Sequence, residues 1–428
     1  MKREDLLSKI SDPSKVWDVV VIGGGATGLG VAVDAVTRGY SVALFEWEDF
    51  AKATSSRSTK LVHGGVRYLA QGDVSLVLEA LYERGLLQQN APHLVKNQSF
   101  LIPNYRYWDN FLYTVGLTIY DILAGRLSLG RSKYVSKKKT TSYLPTVRVD
   151  GLKGGVVYHD GQFDDSRLAV NLAQSCVENG GCPINRMKVT AILHGSDGRA
   201  RGVKVQDLMN GQEYEVKAKA VINATGIFVD SIMEMDVPTH EHMVKPSQGV
   251  HLVLDKSFLQ SDYAIMIPKT DDGRVLFAVP WHDKVVVGTT DTLREHPELE
   301  PQALESEIEF ILNTAGRYLT RKPQRSDVLS VFAGLRPLAA PKKEGKSTKE
   351  ISRSHKIFVS ENKLITITGG KWTTYRRMAE DTVDKAIELN LLEKKACVTK
   401  KFRIHGYQLN PDLNNHLYIY GSDIQADR

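Results

Sequence analysis

The chain has 428 residues, 42% of them hydrophobic and 25% charged, with a formal net charge of +6. That length exceeds what one hydrophobic core ordinarily supports, so two or more domains are expected. The mild positive charge favours anionic partners, either phosphorylated substrates or anionic lipid, while no concentrated basic stripe with interleaved aromatics marks a nucleic-acid surface.

Cys176, Cys182 and Cys397 form neither a CxxC pair nor a ligand cluster, which fits a reducing compartment and predicts no metal site. The N-terminal MKREDLLSKISDPSK is charged throughout and has no apolar core, so it does not read as a secretory signal. The longest uncharged stretch in the middle of the chain, Asn110 to Tyr120, runs about eleven residues, against the 20 or so that span a bilayer.

In chain order, residues 1–16 read as a polar leader. Trp17 to Ile22 (WDVVVI) is a short apolar, β-branched run, a buried parallel strand that ends in Gly23, Gly24, Gly25, Ala26, Thr27 and Gly28. Leu29 to Arg38 reads as a helix closed by Gly39, and Tyr40 to Phe45 as a second buried strand, completing a βαβ unit. Ser75 to Asn90 is a predicted helix, Asn104 to Leu129 a mixed aromatic and aliphatic stretch, and 131–139 (RSKYVSKKK) a basic segment. A helix over Asp165 to Asn179 precedes a strand at Met187 to Leu193. Gly202 to Asp207 and Glu213 to Lys217 pair around Asn210-Gly211, and Ala220 to Asn223 is a further buried strand. Four short alternating runs between 249 and 290 (VHLVL, YAIMIP, RVLFAVP, KVVVGTT) predict an antiparallel sheet packed on the nucleotide domain. Glu305 to Tyr318 is a helix, Lys363 to Thr368 a strand, and Thr373 to Leu391 a last helix, after which residues 398–428 look extended.

Gly23-x-Gly25-x-x-Gly28 gains meaning from standing between strand and helix. The first glycine permits the tight turn, the second lets the backbone approach a pyrophosphate, and the third lets helix and strand pack closely. The helix N-terminus offers N–H groups and a positive dipole end to phosphate. Glu46, at the end of the second strand, stands where a carboxylate accepts ribose hydroxyls and repels a 2′-phosphate, which disfavours NADP. This much leaves FAD and NAD open. Two later glycine turns, Ala224-Thr225-Gly226 and Gly369-Gly370-Lys371, each follow a buried strand. Distant strand ends returning to one site suit a long cofactor ending in a flavin, with the helix N-terminus after Gly370 beside the ring.

The stretch ATSSRSTKLVHGGVRYLA at 53–70, with 22–39 before it and GGKWTTYRRMAED at 369–381 after it, resembles the FAD-dependent glycerol-3-phosphate dehydrogenases, within the wider glutathione-reductase and glycine-oxidase group of flavoproteins. Asn223 to Gly226, Gly288 to Asp291 and Gly334 to Leu338 extend the likeness, which spreads from about residue 17 to 385. The resemblance implies an α/β fold. A Rossmann-type FAD-binding domain would take residues 17–75, 155–235 and 355–392, and an antiparallel-sheet substrate or cap domain 76–154 and 236–354. Residues 393–428 would begin a truncated, helical C-terminal domain. It implies oxidation of sn-glycerol 3-phosphate to dihydroxyacetone phosphate, with electrons passed to a membrane quinone or, in an oxidase branch, to dioxygen. Non-covalent FAD is expected against Gly23, Gly25, Ala26, Thr27, Gly28, Glu46, Thr54, Ser55, Ser56, Lys60, Leu61, His63, Gly64, Gly65, Val189, Ala224, Thr225, Gly226, Gly370, Lys371 and Thr373.

A phosphate dianion needs several converging charge-assisted donors. Arg67, Arg336, Arg353 and Lys371 lie in glycine-bearing or strand-end segments, and the resemblance matches them to the substrate pocket, with Tyr68 and His251 beside them. Oxidation removes a hydroxyl proton and a hydride from one carbon, the hydride going to flavin N5. His251 is the preferred base and Arg336 its electrostatic partner, with Arg336 as alkoxide stabiliser the other reading. Trp108 to Leu129 plus the basic run 131–139 carry the aromatics and lysines of a peripheral membrane surface, so the expected place is cytoplasmic, on the inner face of a membrane, with a homodimer among the expected assemblies. Rival expectations are an oxidase, a related flavoenzyme acting on an amino or hydroxy acid, and a catalytically silent FAD-binding protein.

Overall fold

The computed structural model describes residues 2–70, 72–270, 273–339 and 354–425. The first sheet grows from the continuous apolar run Val16–Ile22, whose neighbours on both sides are parallel: Val19 pairs with Val42 and Ile22 with Asn223. The order across the described strands is Lys356–Val359, Ile365–Thr368, Glu213–Asn223, Val16–Ile22, Val42–Phe45 and Cys182–Ile184. Strands of this kind are buried on both faces, which is why they read as unbroken Val, Ile and Leu. The helices Ala26–Thr37, Asp165–Glu178 and Tyr375–Glu388 cover one face and share its core.

Two segments expected as separate strands are one. Glu213–Asn223 begins with alternating exposure, pairing antiparallel with Ala200–Asp207, and finishes fully buried beside Val16–Ile22. The switch from EYEVKAK to AVIN records the passage from a half-exposed hairpin into the sheet centre.

The second sheet, ten strands among the described residues, runs Thr292–Leu293, Val244–Asp255, Lys284–Gly288, Leu276–Trp281, Ala264–Ile267, Val95–Asn104, Gly154–Phe163 and Leu61–Val62. Ser330–Ala339 also pairs with Val244–Asp255, and Lys133–Ser136 with Gly154–Phe163. It is mixed rather than antiparallel throughout, because Ala264–Ile267 runs parallel to Val95–Asn104, with Ala264 opposite Phe100. The division at residue 155 is also corrected. Gly154–Phe163 pairs along its length with Val95–Asn104 and so belongs to this sheet, as does Leu61–Val62.

The leader is not a loose polar segment. Arg3–Ile10 is a helix whose Leu6 and Ile10 are buried, and Arg3 reaches Asp207 at 2.9 Å and the carbonyl of Asn185 at 2.6 Å. Residues 399–425 are turns and short 3-10 helices rather than extended chain: Ile404 is buried, the His405 N–H donates to Ser175 Oγ at 2.9 Å, and Arg167 lies over the Tyr420 ring. The mixed stretch after 104 forms the helix Tyr107–Ala124, which buries Leu117, Tyr120 and Ala124 and leaves Trp108, Phe111, Leu112, Val115, Ile119 and Ile122 exposed. Among the described residues no helix is long and apolar enough to cross a membrane.

Candidate active site

Parallel strands deliver their C-terminal ends to one edge of a sheet, and there a cavity of about 670 Å³ opens. Gly23 follows Val16–Ile22, Glu46 follows Val42–Phe45, Ala224 to Gly226 follow Glu213–Asn223, and Gly369-Gly370 follow Ile365–Thr368; all of these segments line it. Gly23 has a φ of +104°, and a Cβ there would stand 2.7 Å from the carbonyl oxygen of Ala224, so only glycine lets these two strand ends approach. Gly28 lies behind the wall, where a Cβ would be 1.9 Å from the Gly23 oxygen; it packs helix on strand and does not line the cavity.

Gly25, Ala26 and Thr27 present the N-terminus of the helix Ala26–Thr37 to the cavity, with the Ala26 N–H donating to Ser55 Oγ at 3.0 Å. The Glu46 carboxylate accepts from the N–H of Gly24 at 2.7 Å and from that of Glu48 at 2.8 Å, so its direction is fixed. Burial raises its pKa, and the two backbone donors oppose the rise. A backbone cradle closed to any Cβ, a helix N-terminus and an aimed carboxylate are the donor set that an ADP moiety requires, so the residues fit FAD.

The same cavity continues between the sheets to His63, Gly65, Tyr68, His251, Arg336 and Lys371. Trp372 Nε1 donates to the Ser55 carbonyl at 2.7 Å, and Thr54 Oγ1 to the Leu335 carbonyl at 2.6 Å, tying the loop after Glu46 to both sheets. Lys371 Nζ stands 4.0 Å from the centre of the Tyr68 ring. Arg336 Nη2 donates to Thr289 Oγ1 at 3.0 Å. His251 stacks on Phe332 with ring centroids 4.8 Å apart, and its Nε2 is 2.9 Å from Thr59 Oγ1. Its pKa is pushed down to about 3, first by burial and then by the nearby Arg336 and Lys60. The ring is therefore neutral at ordinary pH, and its proton affinity is lower than a general base working near neutrality wants. His251 as base with Arg336 as its electrostatic partner therefore starts from a neutral ring of lowered proton affinity.

Of the residues expected at the cofactor, Thr54, Ser55, Leu61, His63, Gly65, Val189, Ala224, Thr225, Gly226, Gly370, Lys371 and Thr373 line this cavity together with Gly23, Gly25, Ala26, Thr27 and Glu46. Besides Gly28, three others do not. Lys60 turns its ammonium onto Asp165 at 2.6 Å and the Ser56 carbonyl at 2.8 Å, and both Lys60 and Ser56 face a second cavity of about 600 Å³. Gly64 gives its N–H to the Tyr120 hydroxyl at 2.7 Å, and a Cβ there would meet Leu81 and Tyr120 at 2.5 Å. Arg67 belongs to the short helix Val66–Ala70, with its side chain outside what is described, and Arg353 lies outside the described residues.

Arg274, Asp291, Phe277 and Tyr158 also line the cavity and were not singled out by sequence. The sequence signal for Arg274 is a single charge opening the otherwise apolar run RVLFAVP; Asp291 closes the motif beginning at Gly288, which carries no side-chain role of its own in sequence.

Residues 18–376 match the family of FAD dependent oxidoreductases. The mitochondrial glycerol-3-phosphate dehydrogenase of Schizosaccharomyces pombe is 43% identical over 462 residues, covering 98% of this chain and 71% of the relative. Its counterpart in Arabidopsis thaliana is 45% identical over 409 residues, covering 92% of this chain and 64% of the relative. The crystal structure of the glycerol-3-phosphate dehydrogenase from Bacillus halodurans complexed with FAD superposes with a TM-score of 0.76 at 34% identity, over 95% of this chain and 70% of that one. The chain thus spans about two thirds of the length of these relatives.

Proposed function

We propose, from the premise that this chain belongs to the FAD-dependent oxidoreductases and within them to the glycerol-3-phosphate dehydrogenases, that it oxidises sn-glycerol 3-phosphate to dihydroxyacetone phosphate with FAD. The observation that carries this reading is one continuous cavity with a dinucleotide cradle at one end and cationic side chains, Arg336 and Lys371, at the other. FAD, when bound, supplies an electron-poor ring that takes up the hydride leaving the alcohol carbon.

The chain's own residues do the rest. Gly23 to Thr27 and the helix behind them would hold the pyrophosphate, Glu46 would hold the ribose, and Gly226, Gly370 and Thr373 would line the rest of the cofactor site. Lys371, Tyr68 and Arg336 orient the substrate's phosphate and its hydroxyl, with Arg67 and Arg353 joining them by resemblance. Arg336, always charged, stabilises negative charge developing on the substrate oxygen. His251, neutral, accepts a hydrogen bond from the substrate hydroxyl. A bound dianion beside Arg336 offsets one of the two charges that, after burial, depress its pKa, and so raises its proton affinity.

Electrons then pass to a membrane quinone. The support is the exposed apolar row on Tyr107–Ala124, flanked by the exposed cations Arg126, Arg131, Lys133, Lys137, Lys138 and Lys139, which suits an anionic lipid surface. Since the relatives carry mitochondrial names, the surface better matches a mitochondrial membrane than the cytoplasmic side expected from sequence. Turnover with a soluble quinone analogue tests the reading. Glycerol 3-phosphate should serve while glycine and 2-hydroxyglutarate do not; turnover on the latter pair, or stoichiometric peroxide in place of quinone reduction, would contradict it. Replacing Trp108, Phe111 and Ile122 together by Ser should abolish co-sedimentation with phosphatidylcholine–cardiolipin vesicles, and undiminished co-sedimentation would reassign the row.

A further inference from the structure

We propose that Glu307, a buried carboxylate outside the cavity lining, is a positioning residue that holds Arg336 in place through the bulge Thr289 to Asp291. The proposal rests on the glycerol 3-phosphate reading and adds to it a residue that acts through others.

The bulge follows from strand register. Val244–Asp255 pairs with Lys284–Gly288 at His251 opposite Gly288, and with Thr292–Leu293 at Gln248 opposite Thr292. From His251 back to Gln248 is three steps, while from Gly288 on to Thr292 is four. One residue is in excess, and Thr289, Thr290 and Asp291 leave the ladder to line the cavity. Arg336 meets this bulge twice: Nη2 donates to Thr289 Oγ1 at 3.0 Å, and Nη1 stands 3.7 Å from Asp291 Oδ1. Thr289 and the guanidinium pack together on Gly249, where a Cβ would be 2.3 Å from Arg336 Nη2 and 2.7 Å from Thr289 Oγ1.

A bulge gives up ladder hydrogen bonds, so its place depends on what else holds it. Glu307 supplies that hold. Its Oε1 accepts from Thr290 Oγ1 at 2.8 Å and from Thr292 Oγ1 at 2.6 Å. Its Oε2 accepts from Gln248 Nε2 at 2.6 Å and from the Leu304 N–H at 3.0 Å. Thr290 Oγ1 in turn accepts from the Val250 N–H at 3.0 Å. One carboxylate thus fixes the bulge at Thr290, its exit at Thr292, and both residues flanking Gly249 on the facing strand. The Leu304 bond alone is ordinary capping, since Glu307 is the third residue of the helix Glu305–Gly316. The three side-chain donors go beyond a cap. They converge from two strands on a carboxylate only 5% exposed, where each bond is stronger than it would be in water.

The test follows anaerobic flavin reduction by glycerol 3-phosphate in the FAD-loaded full chain, with and without Arg336. Glu307→Gln keeps the shape, but its amide can no longer accept at both ends. It should slow reduction about tenfold to a hundredfold at saturating substrate, with flavin content unchanged. In the Arg336→Ala background the same substitution should cost less than about twofold, because the residue it positions is gone. An unchanged rate, or an equal loss in both backgrounds, would overturn the assignment. If Glu307→Gln does not retain flavin, Thr292→Val decides, since it removes one donor to the carboxylate without touching the cavity lining. A rate lowered only where Arg336 is present supports the role, and any other result removes it. Should the unaltered chain keep its flavin oxidised with glycerol 3-phosphate, the substrate reading falls. The same variants titrated with inorganic phosphate by calorimetry then decide the positioning role separately: phosphate binding weakened only where Arg336 is present supports it, and equal shifts or none remove it.

Discussion

Glu46 is fixed by two backbone N–H groups before any ligand arrives, whereas Arg336 is partly buried at the cationic end of the cavity. Their substitutions should therefore separate cofactor from substrate. Glu46→Ala loses a charged acceptor worth about 1.5–3 kcal/mol and should purify with much less flavin, while Arg336→Ala should purify yellow and turn over far more slowly. Flavin content by absorbance against total protein checks both; a colourless Arg336→Ala or a fully loaded Glu46→Ala would exchange the roles. His251 makes a separate prediction. Folding keeps the proton off this ring, so its contribution to stability is complete above its ordinary pKa of about 6.5 and is lost as pH falls towards 3. Its NMR resonances, assigned by their loss in His251→Asn, should stay those of a neutral imidazole from about pH 8 to about pH 5, and a midpoint near 6.5 would contradict the buried environment. At this scale sequence spacing finds residues whose neighbours are local, Glu46 and the glycines above all. It misassigns Lys60, because the partner that turns its ammonium away, Asp165, lies 105 positions along the chain.

Among the elements, the strand–turn–helix unit was legible because a buried parallel strand, a glycine turn and a helix leave three successive marks in one short stretch. Its observed bounds, Val16–Ile22 and Ala26–Thr37, differ from the expected ones mainly in the helix starting within the glycine turn itself. That early start is what brings Gly28 against Gly23. Gly28→Val should lower stability by about 1–3 kcal/mol or more through overpacking against backbone that cannot yield, read as a lower denaturation midpoint; an unshifted midpoint would mean the helix can move off the strand. The second sheet was legible as strands but not as a sheet. The parallel contact of Ala264–Ile267 with Val95–Asn104, and the membership of Gly154–Phe163, depend on pairings across many residues that alternation of apolar positions does not encode. In the leader, the helical spacing of Leu6 and Ile10 was present but masked by the surrounding charges.

For the whole molecule, the two sheets are joined at the cavity by Thr54 and Trp372, whose hydrogen bonds cross from the loop after Glu46 to Leu335 in one sheet and from the turn after Ile365–Thr368 back to Ser55. The two ends of the cavity are thereby tied to one frame. The exposed row on Tyr107–Ala124 connects to that frame from outside: Tyr120, on its buried side, bonds both the Gly64 N–H and Asp160. The most direct measurement is anaerobic addition of sn-glycerol 3-phosphate to the FAD-loaded chain while the visible flavin absorbance is followed. Rapid and stoichiometric bleaching, with dihydroxyacetone phosphate formed in equal amount, is the expected result. An absorbance that stays oxidised at saturating glycerol 3-phosphate, in protein shown to contain FAD, would contradict the joining of these two sites.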